Sequence, residues 1–153
     1  MTNGIVFTIA LIAIDRLSKI LAARYLVGKG TVTVIPYLLG LRYLENTGMA
    51  FSLLSGKTVF LAAVTAVALA AMAYFIFIKK TGRPFERFCF MLIFAGGIGN
   101  LIDRVYQGYV IDYFEFLFID FAIFNVADVY VCVGVGLYAM YVLYTEYFMK
   151  DKL

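Results

Sequence analysis

The chain has 153 residues, of which 64% are hydrophobic, and its mean hydropathy is +0.93. Soluble domains are about 45–50% apolar, and a chain of this length cannot enclose so much apolar surface in water. We therefore expect one membrane-embedded domain that covers residues 1–153. The net charge of +3 does not indicate a nucleic-acid partner. Because histidine is absent, His-based acid–base chemistry and the commonest metal ligand are excluded.

Four apolar stretches have the length of about 20 residues that a helix needs to cross a membrane. They are residues 4–26, 58–78, 85–102 and 125–147. The first is interpreted as a retained helix rather than a cleavable signal peptide, because it lacks a basic start and Asp15 interrupts its apolar run. Cys89 and Cys132 lie in apolar stretches, which favours thiols packed in the core over a disulfide or a metal pair. The predicted fold class is a mainly α membrane protein with four transmembrane helices.

Basic residues predict the orientation of these helices. The loop 79–84 and the C-terminal tail carry lysine and arginine, so the positive-inside rule places this loop and both termini in the cytoplasm. The connections 27–57 and 105–124 then face outward. In the first of them, the β-prone runs 31–35 and 39–44 predict a small sheet on the outer leaflet, with an ordered loop as the alternative.

Ionisable residues at membrane depth are expensive, so each one is a candidate for function. Asp15 and Lys19 are four residues apart and share one helix face. They form either a neutralised pair within the helix or one wall of a polar site. Asn100, Asp103 and Arg104 also share a face, near the end of the third helix. The charges of Asp103 and Arg104 have a simpler alternative as interface anchors, whereas an amide within a helix needs a partner.

Two further acids, Asp112 and Asp128, are predicted to meet at the outer surface. Asp112 lies in the connection 105–124, and Asp128 lies about one turn inside the fourth helix. The alternative for Asn125 and Asp128 is an N-cap followed by an acid at the positive helix end. Two carboxyl groups in an apolar site cannot both ionise cheaply, so one keeps a proton and the other acts as a base. Such a pair activates water to attack an amide without a metal or cofactor.

Five segments, taken in chain order, resemble the motifs of lipoprotein signal peptidase, also called signal peptidase II. They are DRLSK at 15–19, NTGMAFS at 46–52, GNLIDR at 99–104, VIDY at 110–113 and FNVAD at 124–128. The resemblance covers almost the whole chain. It implies an aspartic endopeptidase that removes the signal peptide of diacylglyceryl-modified prolipoproteins, cutting just before the lipidated cysteine.

The resemblance also implies roles for individual residues. Asp112 and Asp128 would be the catalytic pair. The residues implied to bind substrate are Asn46, Gly48, Asn100, Arg104 and Asn125, and those implied to support the site are Asp15, Lys19 and Asp103. No metal or cofactor is implied. The implied architecture has four helices, a small outer-face β-cradle and a short extracytoplasmic connection that acts as a lid.

The expected location is the bacterial cytoplasmic (inner) membrane, with several passes and with the active site near the extracytoplasmic face. The expected partners are lipidated prolipoproteins and membrane lipid, and the protein is expected to be a monomer. A small multi-pass transporter that uses intramembrane acids is the main alternative, although transporters usually bind substrate near the bilayer midplane. A non-catalytic scaffold gives no reason for Asp112. Serine–lysine chemistry is disfavoured because Ser18 points away from Lys19 on the helix and Ser52 has no clear base.

Overall fold

A computed structural model describes residues 2–49, 53–79 and 83–148 of the chain. Within these ranges the chain forms four long helices and a three-stranded sheet. The helices are α1 (Thr2–Leu26), α2 (Thr58–Ala73, continued by a π-helical turn at Tyr74–Ile78), α3 (Pro84–Tyr106) and α4 (Val126–Phe148). The strands are β1 (Val32–Ile35), β2 (Leu39–Asn46) and β3 (Val110–Phe116).

Three helices in the described part of the chain are long and apolar enough to cross a membrane. They are Thr58–Ile78, Pro84–Tyr106 and Val126–Tyr147. α1 forms as predicted, but Asp15, Arg16 and Lys19 lie in its middle and it does not meet the same test. α3 continues to Tyr106, one turn beyond its predicted end, so that Asp103 lies inside the helix. Parts of the basic loop and tail, at residues 80–82 and 149–153, lie outside the described residues.

α3 packs against all three other helices. Glycines allow the closest of these approaches, since small residues let helix backbones come together in membranes. A Cβ atom on Gly96 would overlap the carbonyl oxygen of Ala127, and one on Gly134 would lie 2.8 Å from the carbonyl oxygen of Cys89. The start of α4 is therefore held directly against α3.

The sheet is antiparallel with the strand order β1-β2-β3. β1 and β2 confirm the two predicted β-prone runs, whereas β3, inside the connection 105–124, is a strand that the sequence analysis missed. Its enrichment in β-branched and aromatic residues is the signal that was available. Pairing with β2 places Leu44 opposite Asp112 and Asn46 opposite Val110.

The prediction that both thiols pack in the core is right for Cys89, which is buried, and wrong for Cys132, which is exposed on α4. An apolar run on a membrane helix has no polar side to mark which of its residues face the protein. Both thiols are free, as expected.

Candidate active site

Asp112 lies in the middle of β3 and is only 2% exposed. Asn46, at the end of the neighbouring strand β2, donates from Nδ2 to Asp112 Oδ2 at 2.8 Å. Asn125, just before α4, donates from Nδ2 to Asp112 Oδ1 at 2.6 Å. The carboxyl group therefore has one amide donor on each oxygen, which satisfies a polar group that burial would otherwise penalise.

Asp128 lies in the first turn of α4 and forms a reciprocal cap with Asn125. The backbone N–H of Asn125 donates to Asp128 Oδ2 at 3.0 Å, and the backbone N–H of Asp128 donates to Asn125 Oδ1 at 3.0 Å. The capping alternative is therefore correct as local structure. It does not exclude a role in the site, because Asn100 on α3 also donates from Nδ2 to Asp128 Oδ1 at 2.8 Å.

The two carboxyl groups thus belong to one hydrogen-bonded cluster. Each of their four oxygens receives one N–H donor, and all of these donors come from the asparagines Asn46, Asn100 and Asn125. Asn125 contacts both acids and also donates to Asn100 Oδ1 at 3.1 Å. Because a carboxylate oxygen accepts two hydrogen bonds, each oxygen keeps capacity for a water or a substrate group.

Burial raises the pKa of Asp112 from its ordinary value of 3.8 to about 7, and the nearby charge of Asp128 acts in the same direction. The hydrogen bonds from Asn46 and Asn125 and the charge of Lys19 oppose this increase. Since desolvation and the second acid outweigh the donors, the carboxyl group of Asp112 gains and loses its proton near neutral pH.

Lys19 lies next to this cluster and is completely buried. Its ammonium group is 3.0 Å from Asp15 Oδ2 and 2.9 Å from Asp103 Oδ2, and it donates to Asn100 Oδ1 at 2.8 Å. Arg16 forms a second ion pair with Asp103. Asp103 is therefore a buried, paired group, so its interpretation as an interface anchor is wrong.

Arg104 and Gly48 connect the site to the segment after β2. Arg104 donates from Nη2 to the carbonyl oxygen of Gly48 at 3.0 Å. A Cβ atom on Gly48 would lie 2.6 Å from the carbonyl oxygen of Leu53, so this tight turn has no room for a larger residue. The end of the NTGMAFS motif, residues 50–52, lies outside the described residues.

A cleft of about 640 Å³ opens over the two carboxyl groups. Its polar floor contains Asp112, Asp128, Asn46, Asn100 and Arg104. Its apolar walls include Leu61 and Val131 from the helices and Phe116, Phe121 and Phe124 from the segment that leads into α4. A mostly apolar cleft with a few convergent polar groups is the usual form of an active site.

Comparison with known proteins identifies the family. The family model described as signal peptidase (SPase) II matches residues 7–144. The chain belongs to the signal peptidase II family. It is 40% identical to the lipoprotein signal peptidase of Clostridioides difficile over 142 residues, which is 93% of this chain and 95% of that protein. It is 39% identical to the lipoprotein signal peptidase of Streptococcus pyogenes over 127 residues, which is 83% of this chain and 84% of that protein.

Solved structures support the same conclusion. A bacterial membrane enzyme superimposes with a TM-score of 0.90 and 31% identity, over 100% of this chain and 94% of that one. A second bacterial membrane enzyme has a TM-score of 0.83 and 32% identity, over 94% of each chain. As a member of the signal peptidase II family, this chain is a peptidase with a mainly helical membrane fold.

The ten site residues predicted from the sequence lie in or directly beside one cluster. They are Asp15, Asn46, Gly48, Lys19, Asn100, Asp103, Arg104, Asp112, Asn125 and Asp128. Two participants were missed. Arg16 pairs with Asp103, and the backbone N–H of Ala127 donates to Asp15 Oδ1 at 3.0 Å. No sequence pattern identifies a backbone N–H that will donate to a buried acid. Arg16 could have been identified, because it is an ionisable residue at membrane depth.

Proposed function

We propose that this chain removes the signal peptides of lipidated prolipoproteins and that Asp112 and Asp128 form its catalytic pair. The observation that carries the assignment is the common set of three asparagines, which supplies one donor to every oxygen of the two acids. A capping role alone explains Asn125 and Asp128 but gives no reason for Asn46 and Asn100 to bind the same carboxyl groups. Family membership favours this peptidase function over the transporter alternative.

The chemistry follows from the shared proton. The ionised carboxyl takes a proton from water while the water oxygen attacks the carbonyl carbon of the scissile amide. The protonated carboxyl donates its proton to the carbonyl oxygen, which gives a tetrahedral diol. As the diol collapses, one of its hydroxyl groups returns a proton to the second carboxyl and the C–N bond breaks. The first carboxyl gives its proton to the leaving nitrogen. Both products leave, and the pair again holds one proton.

The walls of the cleft suit a substrate that is part peptide and part lipid. The aromatic residues Phe116, Phe121 and Phe124 and the helix residues Leu61 and Val131 offer apolar surface beside the polar floor. Acyl chains of a lipidated substrate fit that surface, and the peptide bond fits the floor. Asn46, Gly48, Asn100, Arg104 and Asn125 are the residues proposed to contact substrate, and the lid role of a short extracytoplasmic connection remains a prediction.

We further propose that α1 is a fourth membrane span, with the site near the extracytoplasmic face of a bacterial cytoplasmic membrane. The charges in the middle of α1 face the bundle, where Asp15 and Lys19 are completely buried and Arg16 pairs with Asp103. Its other face is apolar and exposed, as a lipid-facing surface should be. The exposed residues on it include Ile5, Val6, Ile9, Ile14, Leu17, Ile20 and Leu21.

A cleavage assay on the purified protein in detergent tests the function. We expect the wild type to cut a diacylglyceryl-modified precursor peptide and to leave the unmodified peptide intact. Asp112→Asn and Asp128→Asn each remove a proton-transfer group, so we expect kcat to fall by at least about 10²-fold. Asp120→Asn is the matched control, since Asp120 is an exposed acid in the same connection.

Near-normal turnover by either variant, together with correct folding, refutes the catalytic pair. Equal cleavage of modified and unmodified peptides refutes the substrate assignment and leaves the pair intact. Treatment with a strong metal chelator is expected to leave the activity unchanged, because the proposed mechanism uses only carboxyl groups and water.

A further inference from the structure

The ammonium group of the buried Lys19 makes three contacts with neighbouring side chains. Its nitrogen donates a hydrogen bond to Asn100 Oδ1 at 2.8 Å, and it forms ion pairs with Asp15 Oδ2 at 3.0 Å and with Asp103 Oδ2 at 2.9 Å. Asp15 is on α1 with Lys19 itself, and Asn100 and Asp103 are on α3.

Each contact leads to one of the two acids that the proposed mechanism uses. Asp15 accepts the backbone N–H of Ala127 at 3.0 Å, directly before Asp128. Asp103 accepts the backbone N–H of Ile111 at 3.3 Å, directly before Asp112.

The third contact fixes a side-chain orientation. Lys19 and Asn125 both donate to Asn100 Oδ1, so the amide must turn its Nδ2 donor toward Asp128. Without the ammonium group, the Asn100 amide loses one of the two donors that hold it in this orientation. A reversed amide would present an acceptor to an acceptor at Asp128.

We propose that Lys19 is a positioning residue, whose ammonium group fixes both members of the carboxyl pair through these three contacts. The proposal rests on the proposed function, since it concerns the same pair. Lys19 does not line the cleft and has no exposed surface. It therefore acts on the reaction through its neighbours and does not touch substrate.

Lys19 also acts on the pair through its charge, which lowers the pKa of Asp112. Its removal is therefore expected to move the alkaline limb of the kcat/KM profile to higher pH. The other ionisable groups around the pair remain in place in this variant. They are Asp15 and Arg16 on α1, Asp103 and Arg104 on α3, and Tyr130 on α4.

The test is Lys19→Met, which keeps an unbranched side chain of nearly the same length and removes its charge. We expect kcat to fall by about 10²-fold, as small displacements of catalytic groups do, while KM stays unchanged and the alkaline limb moves upward. Arg24→Met is the matched control, because Arg24 is an exposed cation near the end of the same helix. It is expected to keep the wild-type kcat and pH profile.

Lys19→Met leaves two buried acids with less compensation, which threatens folding. A charge-balanced variant, Lys19→Met with Asp15→Asn, keeps the ion pair between Arg16 and Asp103. Its kcat is expected to be as low as that of the single variant, because Asn100 still lacks its ammonium donor. Its pH shift is expected to be smaller, since one negative charge has been removed as well.

The outcomes separate this proposal from the proposed function. Failure of the wild type to cut the modified peptide, or activity in Asp112→Asn, overturns the function whatever Lys19 does. If the wild type cuts and Asp112→Asn is inactive, a folded Lys19 variant with normal kcat overturns the positioning role alone. A low kcat with an unchanged pH profile in Lys19→Met, or unfolding of both Lys19 variants, shows a purely structural residue and also overturns it.

Discussion

At the residue scale, Asp112 shows which of two opposing effects decides its protonation. Hydrogen bonds to a carboxylate favour its charged form, and Asp112 accepts two of them. Burial and the charge of Asp128 nevertheless raise the pKa of Asp112 to about 7. The amide donors therefore fix the position of the carboxyl group without making it a permanent anion.

This balance predicts the alkaline limb of the activity profile. The mechanism needs one proton on the pair, and that proton leaves as the pH rises through the pKa of Asp112, at about 7. We expect kcat/KM, which reports the free enzyme, to decrease over that range. Measurement of initial rates at a constant ratio of detergent to substrate checks this. A profile that stays flat well above neutral pH contradicts it.

The same pKa predicts how stability depends on pH. Between the ordinary value of 3.8 and about 7, the folded protein binds a proton on Asp112 that the unfolded chain has released. The contribution of this group to stability is therefore fully present below the lower value and is lost as the pH rises through the upper one. The melting temperature is therefore expected to decrease as the pH rises over this range, and Asp112→Asn is expected to reduce that decrease. The exposed control Asp120→Asn should retain it.

At the element scale, the position of Asp128 depends on how closely α4 approaches α3. Gly96 lies against the carbonyl oxygen of Ala127, and Gly99 lies against the carboxyl group of Asp15. These glycines therefore set the distance between the start of α4 and the two helices that hold the buried charges. In membranes, such packing of small residues contributes much of the association between helices.

Gly96→Ala is predicted to impair both stability and activity. Its methyl group meets backbone, which cannot move aside as a flexible side chain can, so α4 must shift away from α3. We expect a cost of about 1–3 kcal/mol in unfolding free energy, typical of overpacking, and a decrease in kcat larger than the change in KM. Denaturation in detergent and steady-state rates measure these effects.

Gly136→Ala is the control for this substitution. Gly136 lies in α4, one of the two helices that meet at Gly96. A Cβ atom on Gly136 would have no neighbouring heavy atom within 4 Å. The control is expected to keep normal activity and to gain slightly in helix propensity. Equal effects of the two substitutions would show that close packing at Gly96 does not position the site.

The elements differ in how far the sequence predicts them. The bounds of α1 and α2 follow from hydropathy, which is a local property. The apolar stretch of α3 ends at residue 102 because Asp103 lowers the local hydropathy, although the helix continues to Tyr106. The charge of Asp103 is compensated by Lys19 and Arg16, which lie 84 and 87 residues away in the sequence. Spacing shows which residues share a helix face, but it does not show which partner that face meets.

The candidate site shows the same limit. The spacing of the motifs placed Asp112 and Asp128 on the same membrane face, and the structure brings them into one cluster. The detailed contacts did not follow from the motifs. Asn125 links both acids only because β3 runs beside the start of α4, where the backbone of Phe114 pairs with that of Phe124.

At the scale of the whole molecule, the distribution of charge implies an orientation. The acids of the site lie at the end of the bundle that carries the sheet, and Lys79 and Arg83 lie at the other end, after α2 and at the start of α3. Positive residues favour the cytoplasmic side. The sheet and the cleft are therefore expected to face the extracytoplasmic side, where a translocated substrate presents its cleavage site.

Labelling of single cysteines in intact cells tests this orientation and the fourth span together. In a background with Cys89→Ala and Cys132→Ala, Lys29→Cys reports on the exposed turn after α1, and Lys79→Cys reports on the exposed end of α2. A membrane-impermeant maleimide is expected to label position 29 and to label position 79 only after the membrane is permeabilised. An amino-terminal tag should behave like position 79, because α1 must cross the membrane to separate the tag from residue 29. If the tag and position 29 are accessible from the same side, α1 does not cross the membrane. Its paired charges would then support the site from a helix that is not a transmembrane span.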